Sequence, residues 1–579
     1  MREADLVIVG AGWSGLVMAK TYLDCHPSTK LMILDAHATL GGVWAQERLY
    51  PGLLTNNMLG TFEYSDFPMD ETFGVKSGNH IPGEVVHNYL RQYAEKHDIY
   101  RQIQFRSKVT SVERRPDAGW TLTLHQGDND HETECILARK LILAVGLTSQ
   151  PFLPDFPGAS EFDPPLLHCK DLSEREEDLI KASTNVVVLG GTKYAWDAVY
   201  AFASAGVRVD WVIRKSGHGP CWMSPPYVTP FKLWLEKLAT TRCLTWFSPC
   251  IWGDSDGFGF VRRLLHNTRI GRWFVDKFWG LIDADVCSLN GYDKDPDLEK
   301  LKPRTSAFWV GNSYSILNYP TDFFDYIRNG TVKIHVEDIT RLSSRTVHLS
   351  SGESIRTDAL ICSTGWQRRP IIKFLPEGIS RELGLPHESD GTHARLIHEA
   401  DEHILSRFPR LGRQPVINPI YRPLDSSTYD KPLEPYRLYR GMVPPAFFQE
   451  RSIAFSGFVL SLSTSLIAQA QALWLTAYLD GSLSPGNQSS NESEVQWRFA
   501  EESILWQTVL HSQFGKWRYP AGYGKDHPDF IFDAIPYIDM LLRDLGLEHH
   551  KKSHWVAECF QPYTVQDYRG LVDEWRLKA

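Results

Sequence analysis

The chain has 579 residues, 42% of them hydrophobic and 23% charged, and its formal net charge is −9. This length is too great for one hydrophobic core, so we expect two or three domains of an ordinary globular protein. The acidic balance argues against a general nucleic-acid binder, which would carry a basic patch. The nine cysteines are scattered without a CxxC pair, so the sequence predicts no redox dithiol and no metal site.

The N-terminal segment predicts a dinucleotide site. Asp5–Val9 is a β-branched run suited to a buried strand, and the motif Gly10-Ala-Gly12-Trp-Ser14-Gly15 follows at once, before a helical pattern. Gly10 makes a tight turn, Gly12 lets the backbone approach phosphates, and Gly15 lets the helix pack on the strand. The helix N-terminus then presents free N–H groups and the positive end of its dipole to a pyrophosphate.

An acidic residue indicates which dinucleotide this site takes. A second strand, Lys30–Leu34, ends in Asp35, 25 residues after Gly10. A carboxylate at that offset hydrogen-bonds a ribose 2′-hydroxyl and repels a 2′-phosphate. The first site is therefore predicted to accept a nucleotide without a 2′-phosphate.

The next segments resemble one protein superfamily. Gly41-Gly42-Val-Trp44 is followed by Tyr50-Pro-Gly and by Thr55-Asn56. On these motifs the chain resembles a class B flavoprotein monooxygenase, closest to fungal-type enzymes similar to flavin-containing monooxygenases. The superfamily also includes N-hydroxylases and Baeyer–Villiger enzymes. The resemblance implies that Gly42 and Trp44 lie along FAD and that Thr55 and Asn56 also contact it.

Later segments resemble this superfamily in the same order along the chain. They are similar to the two strand-plus-linker segments, to the FxG…H linker and to the C-terminal segment that closes over FAD. These segments are Leu141–Gly146, Phe156–Gly158 with His168, Ala359–Gly365, and Ser456-Gly457 with Gln469–Trp474. The resemblance implies further cofactor contacts at Gly146, Thr364, Gly365 and Gln471.

A second fingerprint lies in the middle of the chain. The strand Asn185–Leu189 precedes it, and the next strand ends in Arg214, 24 residues after Gly190. A base at this offset accommodates a 2′-phosphate, as an acid reads a bare ribose. The first site therefore suits FAD and the second NADPH. The residues predicted to bind NADPH are Gly190, Gly191, Thr192, Lys193, Arg214 and Lys215.

Thr192 occupies the position where glycine usually lets the backbone approach phosphate. Its Cβ would hold a pyrophosphate farther out, and we expect Lys193 to compensate by contacting a phosphate directly. Fungal-type relatives resemble this chain in having lysine there, although Tyr194 replaces the serine that usually follows. The alternative is a degenerate site in an NADPH-independent flavoprotein oxidase or cyclase.

Residue 56 bears on the type of oxygenation. Baeyer–Villiger enzymes typically follow the Tyr-Pro-Gly turn with Arg-Cys-Asp, whereas this chain reads Leu-Leu-Thr-Asn56. Asn56 matches the flavin-containing monooxygenase pattern, in which the asparagine orients a flavin C4a-hydroperoxide; a turn-capping role is the alternative. Arg304 is a second catalytic candidate, because Lys302-Pro-Arg304 lies in the region that supplies an arginine for ketone oxidation. It would otherwise be a solvated loop residue.

A long segment at about 216–330 interrupts the second nucleotide-binding pattern. It contains seven tryptophans, and Arg272–Ile282 places Trp273, Phe274, Phe278 and Leu281 on one helical face. Three interpretations remain open: a subdomain with its own core, a lid over an apolar substrate, or an interfacial membrane contact. Farther along, Gly481–Glu494 is predicted to be a Ser/Asn/Gly-rich surface loop.

The predicted fold is α/β with two dinucleotide-binding, Rossmann-like domains. Residues 1–180 and 355–579 form the FAD-binding domain, which includes a C-terminal helical region. Residues 181–354 form an inserted NADPH-binding domain that carries the helical, aromatic-rich insertion at about 216–330.

The predicted function is FAD- and NADPH-dependent transfer of one oxygen atom from O2 to a hydrophobic small molecule, in secondary metabolism. Hydroxylation, epoxidation and N- or S-oxygenation all fit it. The alternatives are Baeyer–Villiger oxygenation of a ketone, the NADPH-independent oxidase or cyclase, and a flavin-bearing redox sensor or scaffold. We expect a cytoplasmic protein without a membrane span or a nucleic-acid partner, and the oligomeric state stays open.

Overall fold

The structure, a computed structural model, describes residues 2–127, 133–228, 232–367, 370–424, 433–483 and 500–578. Most of the predicted surface loop Gly481–Glu494 lies outside the described residues. In chain order the strands are β1 (Arg2–Val9), β2 (Leu31–Leu34), β3 (Leu54–Met58), β4 (His80–Pro82), β5 (Ile103–Gln104), β6 (Ser107–Arg114), β7 (Trp120–Gln126), β8 (Thr133–Leu143), β9 (Leu166–His168), β10 (Asn185–Leu189), β11 (Arg208–Ile213), β12 (Trp222–Ser224), β13 (Tyr227–Val228), β14 (Leu233–Trp234), β15 (Tyr314–Ile316), β16 (Val332–Val336), β17 (Ile339–Ser343), β18 (Thr346–Leu349), β19 (Ser354–Arg356), β20 (Leu360–Cys362), β21 (Lys373–Leu375) and β22 (Ile453–Phe455).

The helices connect and cover these strands. They are α1 (Trp13–Cys25), α2 (Gly83–Lys96), α3 (Leu172–Ala182), α4 (Lys193–Ser204), α5 (Leu235–Ala239), α6 (Arg242–Thr245), α7 (Gly259–Asn267), α8 (Arg269–Asn290), α9 (Pro296–Glu299), α10 (Asp325–Arg328), α11 (Ala394–Arg407), α12 (Thr464–Asp480), α13 (Glu501–Arg518), α14 (Ala534–Asp544), α15 (Trp555–Phe560) and α16 (Leu571–Arg576). No helix in the described ranges combines the length and apolarity needed to cross a membrane.

The first sheet has the strand order β21-β6-β7-β8-β1-β2-β5, and β22 pairs with the C-terminal part of β8. Its central strand is buried on both faces. Leu6 and Ile8 of β1 face one apolar core while Val7 and Val9 face another, as the two-residue repeat of a strand requires. Because β1, β2, β5, β8 and β22 run parallel, their carboxyl ends lie at one edge, where the first glycine-rich turn begins.

The second sheet has the order β16-β11-β10-β20-β9, and all its strand pairs are parallel. Its outer members extend beyond the predicted segment 181–354, because β9 comes from residues 166–168 and β20 from residues 360–362. A three-residue strand carries too little periodicity to be assigned from the sequence pattern alone. The strands of the second sheet therefore begin before residue 181 and end after residue 354, the predicted boundaries of the second domain.

The two sheets are joined by the linker after β8 and the linker after β20, and these linkers are hydrogen-bonded to each other. The Phe152 N–H donates to the Gly365 carbonyl at 3.0 Å, and the Thr364 hydroxyl donates to the Phe152 carbonyl at 2.5 Å. A Cβ placed on Gly146 or Gly365 would meet no other atom within 4 Å. Both glycines therefore border open space between the sheets.

The insertion between β11 and β16 contributes to the cores of both sheets. Trp222 and Trp279 belong to the same apolar cluster as Leu6 of β1. Met223 instead belongs to the apolar cluster of the second sheet. Trp279 packs edge-on against Phe532, with ring centroids 4.8 Å apart. The insertion thus does not form an independent subdomain core.

Helix α8 leaves part of its predicted apolar stripe exposed. Trp273 is 54% exposed and Leu281 is 71% exposed, whereas Val275 and Trp279 are buried. The helix therefore has apolar residues on two sides, and only one side packs fully on the core.

Candidate functional site

The first glycine-rich turn is shaped by close backbone approaches. Gly10 has a φ of +111°, and a Cβ there would overlap the carbonyl of Ala144 at the end of β8. Gly15 lies in the first turn of α1, where a Cβ would overlap the carbonyl of Gly10. These contacts bring the N-terminus of α1 close to the end of β1.

Gly12 and Gly42 form a cradle beside this helix N-terminus. A Cβ on Gly42 would lie 3.2 Å from the Cα of Gly12. The Gly41 N–H donates to the Ala11 carbonyl at 2.9 Å and fixes the second side of the cradle. Gly12 has an extended backbone, with φ −88°, so its glycine supplies space and not an unusual conformation. The cradle is suited to a pyrophosphate that approaches the backbone.

Asp35 is held at the same turn. It is buried, and its carboxylate accepts the Ala11 N–H at 2.7 Å and the His37 N–H at 2.8 Å. A ribose attached to a pyrophosphate in the cradle would meet this carboxylate. Trp44 is half-buried, and its backbone N–H donates to the Gly41 carbonyl at 3.1 Å. The cradle, the acid and the helix N-terminus together fit the ADP half of FAD.

Gln471 acts on this site indirectly. Its side chain is fully buried, accepts the Gly457 N–H at 3.1 Å and donates to the Tyr537 hydroxyl at 2.8 Å. A Cβ on Gly457 would overlap the Ser14 hydroxyl. The amide therefore holds a turn that packs on the α1 N-terminus, which differs from the direct cofactor contact predicted. Because α12 is buried on nearly every side, an amide there needs protein partners.

The second glycine-rich turn follows β10. Gly190 has a φ of +138°, and a Cβ there would lie 2.6 Å from the Ser363 carbonyl oxygen. The Gly191 carbonyl accepts the Cys221 N–H at 2.8 Å. Thr192 is the residue before α4 and has an extended backbone, with φ −87°. The threonine is accommodated without backbone strain.

Arg214 and Lys215 open a turn, Arg214–Gly219, that we call the basic turn. Arg214 donates to the Ser216 hydroxyl at 2.9 Å, and its guanidinium lies 3.8 Å from the Asp338 carboxylate. Its side chain is 18% exposed, whereas Lys215 is exposed. The basic turn thus lies at the carboxyl end of β11, as Asp35 lies at that of β2.

Arg304 lies against the basic turn. Its guanidinium donates to the Gly217 carbonyl at 3.0 Å, and a Cβ on Gly219 would lie 2.8 Å from its Nε. Its described contacts are with this turn and not with Asn56. The assignment of Arg304 to the oxygenation site therefore stays a prediction. The Lys-Pro-Arg motif shows that a cation is present but not which loop it packs on.

Lys193 is engaged inside the protein. It forms an ion pair with Asp197 and donates to the Asn318 amide oxygen at 2.8 Å. Asn318 in turn donates to the carbonyls of Leu54 at 3.1 Å and Thr55 at 3.0 Å. These bonds link α4 of the second domain to β3 of the first. They differ from the phosphate contact predicted for Lys193. Asp197 is one helical turn away, but Asn318 lies 125 residues along the chain and could not be found from the sequence.

Asn56 lies on β3 at the junction of the two domains and the insertion. Its half-buried amide donates to the Ser315 hydroxyl at 3.3 Å. Thr55 next to it is buried, and its hydroxyl donates to the Asn57 carbonyl at 2.5 Å and accepts the Ile81 N–H at 3.0 Å. The hydrogen bonds of Thr55 therefore stabilise β3, while the Asn56 amide is directed out of β3 toward Ser315.

Glu236 of the insertion also supports β3, which the sequence did not indicate. Its buried carboxylate accepts hydrogen bonds from the Asn57 amide, from the Met58 N–H at 3.0 Å, from Thr61 at 3.2 Å and from the Trp234 indole at 2.7 Å. Burial raises the pKa of Glu236 to about 7 despite these donors. An isolated glutamate in an unassigned segment carried no signal of this role.

Two tyrosines near the second glycine-rich turn and the C-terminal part of the chain are partly exposed. Tyr194 is 37% exposed and Tyr523 is 41% exposed, and desolvation raises the pKa of each to about 12. The Tyr194 ring lies 5.9 Å from Trp366, over which Arg48 is placed at 5.8 Å.

Two glycine-rich turns on separate parallel sheets, one finished by an acid and one by bases, define a two-dinucleotide oxidoreductase fold. The profile of the FMO-like family, described as flavin-binding monooxygenase-like, matches residues 3–216. The chain is 33% identical to the FAD-dependent monooxygenase rstn6 of Aspergillus nomiae, over 99% of this chain and 98% of that protein. It is 34% identical to the FAD-dependent monooxygenase resA of Aspergillus sclerotiorum, with the same coverage of both.

The chain therefore belongs to the family of flavin-binding, FAD-dependent monooxygenases, and the predicted resemblance is confirmed. A closed crystal structure of cyclohexanone monooxygenase matches with a TM-score of 0.57 at 14% identity, over 94% of this chain and 98% of that chain. The enzyme from Rhodococcus sp. Phi1 bound to NADP+ matches with a TM-score of 0.56 at 15% identity and the same coverage. These likenesses confirm the predicted fold class.

Proposed function

We propose that the enzyme uses NADPH and O2 to transfer one oxygen atom to a hydrophobic small molecule. FAD binds at the first glycine-rich turn and NADPH at the second. The observation that carries this proposal is the opposite charge of Asp35 at the end of β2 and Arg214 at the end of β11. A carboxylate selects a free ribose, and a guanidinium selects a 2′-phosphate.

Bound FAD supplies the oxygen-activating chemistry once NADPH has reduced it. The chain's own residues bind, orient and exclude water. The cradle of Gly12 and Gly42 takes the pyrophosphate, Asp35 takes the ribose, and Trp44 lies along the flavin. The neighbouring rings of Tyr194 and Trp366 supply apolar contacts for the substrate.

Asn56 orients the reacting oxygen in this proposal. Its amide donates a hydrogen bond but cannot remove a proton, and Ser315 fixes its position. A neutral donor favours electrophilic oxygen transfer to a sulfide, an amine or an electron-rich carbon. Arg304 donates to the Gly217 carbonyl, and none of its described hydrogen bonds is with Asn56, which further supports this chemistry over attack on a ketone.

Anaerobic mixing of the FAD-loaded enzyme with NADPH tests the first half of the proposal. Loss of the oxidised flavin absorbance is expected with NADPH and much more weakly with NADH. An unchanged flavin spectrum would contradict the use of NADPH and favour the oxidase or cyclase alternative. Incubation in air with methyl phenyl sulfide, a tertiary amine and a cyclic ketone, followed by mass spectrometry, then identifies the type of oxygenation.

Replacement of Asn56 tests the second half. In Asn56→Ala we expect the rate of flavin reduction by NADPH to stay unchanged, because the amide does not contact the second turn. Oxygenated product per NADPH should fall about tenfold, the effect of about 1.4 kcal/mol, and H2O2 should rise in its place. Ser315→Ala leaves the amide in place without its anchor and should give a smaller loss. Equal product yields in Asn56→Ala and the wild-type enzyme would exclude the orienting role.

A further inference from the structure

A short segment from the C-terminal part of the chain crosses the basic turn. We call this segment, Asn418–Arg422, the strap. The Asn418 amide donates to the carbonyls of Lys215 at 2.8 Å and Gly217 at 2.7 Å. One side chain thus pairs with two carbonyls of the turn, which fixes the position of the strap over it.

The other end of the strap is bonded to the turn in both directions. The Arg422 N–H donates to the Ser216 carbonyl at 2.9 Å, and Arg214 donates to the Arg422 carbonyl at 2.5 Å. The ring of Tyr421 lies 4.4 Å from that of His218. These backbone bonds place the Cα of Arg422 beside the guanidinium of Arg214, although the two residues are 208 positions apart.

The charges collected here suit a doubly charged anion. Arg214 and Lys215 belong to the turn, Arg304 is bonded to its Gly217 carbonyl, and Arg422 is exposed on the strap. The carboxylate that contacts the turn is Asp338, which accepts the Ser216 hydroxyl at 2.7 Å and faces Arg214 at 3.8 Å. Four cationic residues from three separate parts of the chain thus belong to the basic turn or bond to it, and Asp338 is an acidic partner of Arg214.

We propose that Arg422 binds the 2′-phosphate of NADPH and completes from the first domain the site that Arg214 and Lys215 begin. The inference rests on the proposed use of NADPH at the second turn. A guanidinium forms paired hydrogen bonds with phosphate oxygens. The backbone of Arg422 is held beside Arg214 by the turn, and its side chain is exposed there. Binding of NADPH would thereby add a contact to the hydrogen bonds that already join the strap to the basic turn.

Calorimetric titration of the FAD-loaded enzyme with 2′,5′-ADP and with 5′-AMP tests the assignment without turnover. In Arg422→Ala the Kd for 2′,5′-ADP should rise about tenfold, while the Kd for 5′-AMP stays unchanged. Arg422→Lys should lose less, because it keeps the charge. Arg214→Ala serves as the positive control. Arg413 is an exposed arginine that precedes the strap, so Arg413→Ala should bind both nucleotides as the wild type does.

Flavin content and the unfolding midpoint show whether each variant is folded. If Arg422→Ala is not, Arg422→Gln keeps the side-chain length and should show the same tenfold loss. Equal Kd values for 2′,5′-ADP in the wild type and Arg422→Ala would overturn the role of Arg422 and leave NADPH use intact. If the wild type does not prefer 2′,5′-ADP to 5′-AMP, the proposed NADPH site itself fails and the Arg422 assignment fails with it.

Discussion

The two glycine-rich turns follow one plan but differ at two of the three positions where the motif has glycine. Each begins with a glycine of positive φ, Gly10 or Gly190, and in each the next carbonyl accepts an N–H from a distant loop. At the third position Gly12 and Thr192 have nearly the same backbone, with φ −88° and −87°. The backbone conformation therefore does not require glycine at the third position. The size of the side chain there determines how closely a ligand approaches the backbone.

The residue at the sixth position determines how closely the helix packs on the preceding strand. Gly15 faces the carbonyl of Gly10 without room for a Cβ, whereas the buried Ala195 has a Cβ at the equivalent place in the second turn. The helix after the first turn is thus tied to its strand by a contact that only glycine permits. The second turn keeps the nucleotide-binding plan while allowing a looser approach of helix to strand.

The largest effect that separates the turns is expected at this sixth position. Gly15→Ala should abolish FAD retention and lower the free energy of unfolding by about 3 kcal/mol, since the new Cβ meets backbone and not a movable side chain. Flavin content and denaturant unfolding measure both. The matched change Ala195→Gly should keep FAD and cost about 1 kcal/mol. If Gly15→Ala retained FAD at wild-type stability, the contrast between the turns would disappear.

A smaller effect is expected from Lys193→Met. The lysine bonds Asp197 and Asn318, so its removal should lower the free energy of unfolding by about 1–3 kcal/mol by leaving buried polar groups unpaired. The Kd for NADPH, measured by titration, should change less than about threefold. A rise as large as that in Arg214→Ala would show instead that Lys193 binds phosphate, as its sequence position suggests.

The smallest effect should come from Thr192→Gly, which makes the third positions of the two turns identical. The backbone already has the conformation of Gly12, and the threonine side chain makes no hydrogen bond to the helix end. We expect the free energy of unfolding to fall by roughly a few tenths of a kcal/mol, which is the usual effect of replacing an N-cap threonine with glycine. A large gain in NADPH affinity on titration would show that the threonine Cβ holds the pyrophosphate away.

The sequence was sufficient for features determined by local backbone requirements. The two strands that begin each domain, their turns and the acid and base at matched offsets follow from short-range rules, and the predicted fold class is confirmed. Residues whose partners are distant in sequence were harder. The role of Glu236 depends on a strand some 180 residues away, and the positions of Lys193 and Arg304 depend on which loops fold over them. A motif identifies the chemical group but not the direction in which a buried helix or loop presents it.

The insertion is bonded to both domains. Glu236, Ser315 and Asn318 attach it to β3, and its buried side chains divide between the cores of the two sheets. Asn318 also accepts a hydrogen bond from Lys193 in the first turn of α4. One amide of the insertion therefore connects the helix that follows the second glycine-rich turn with the strand that carries Asn56.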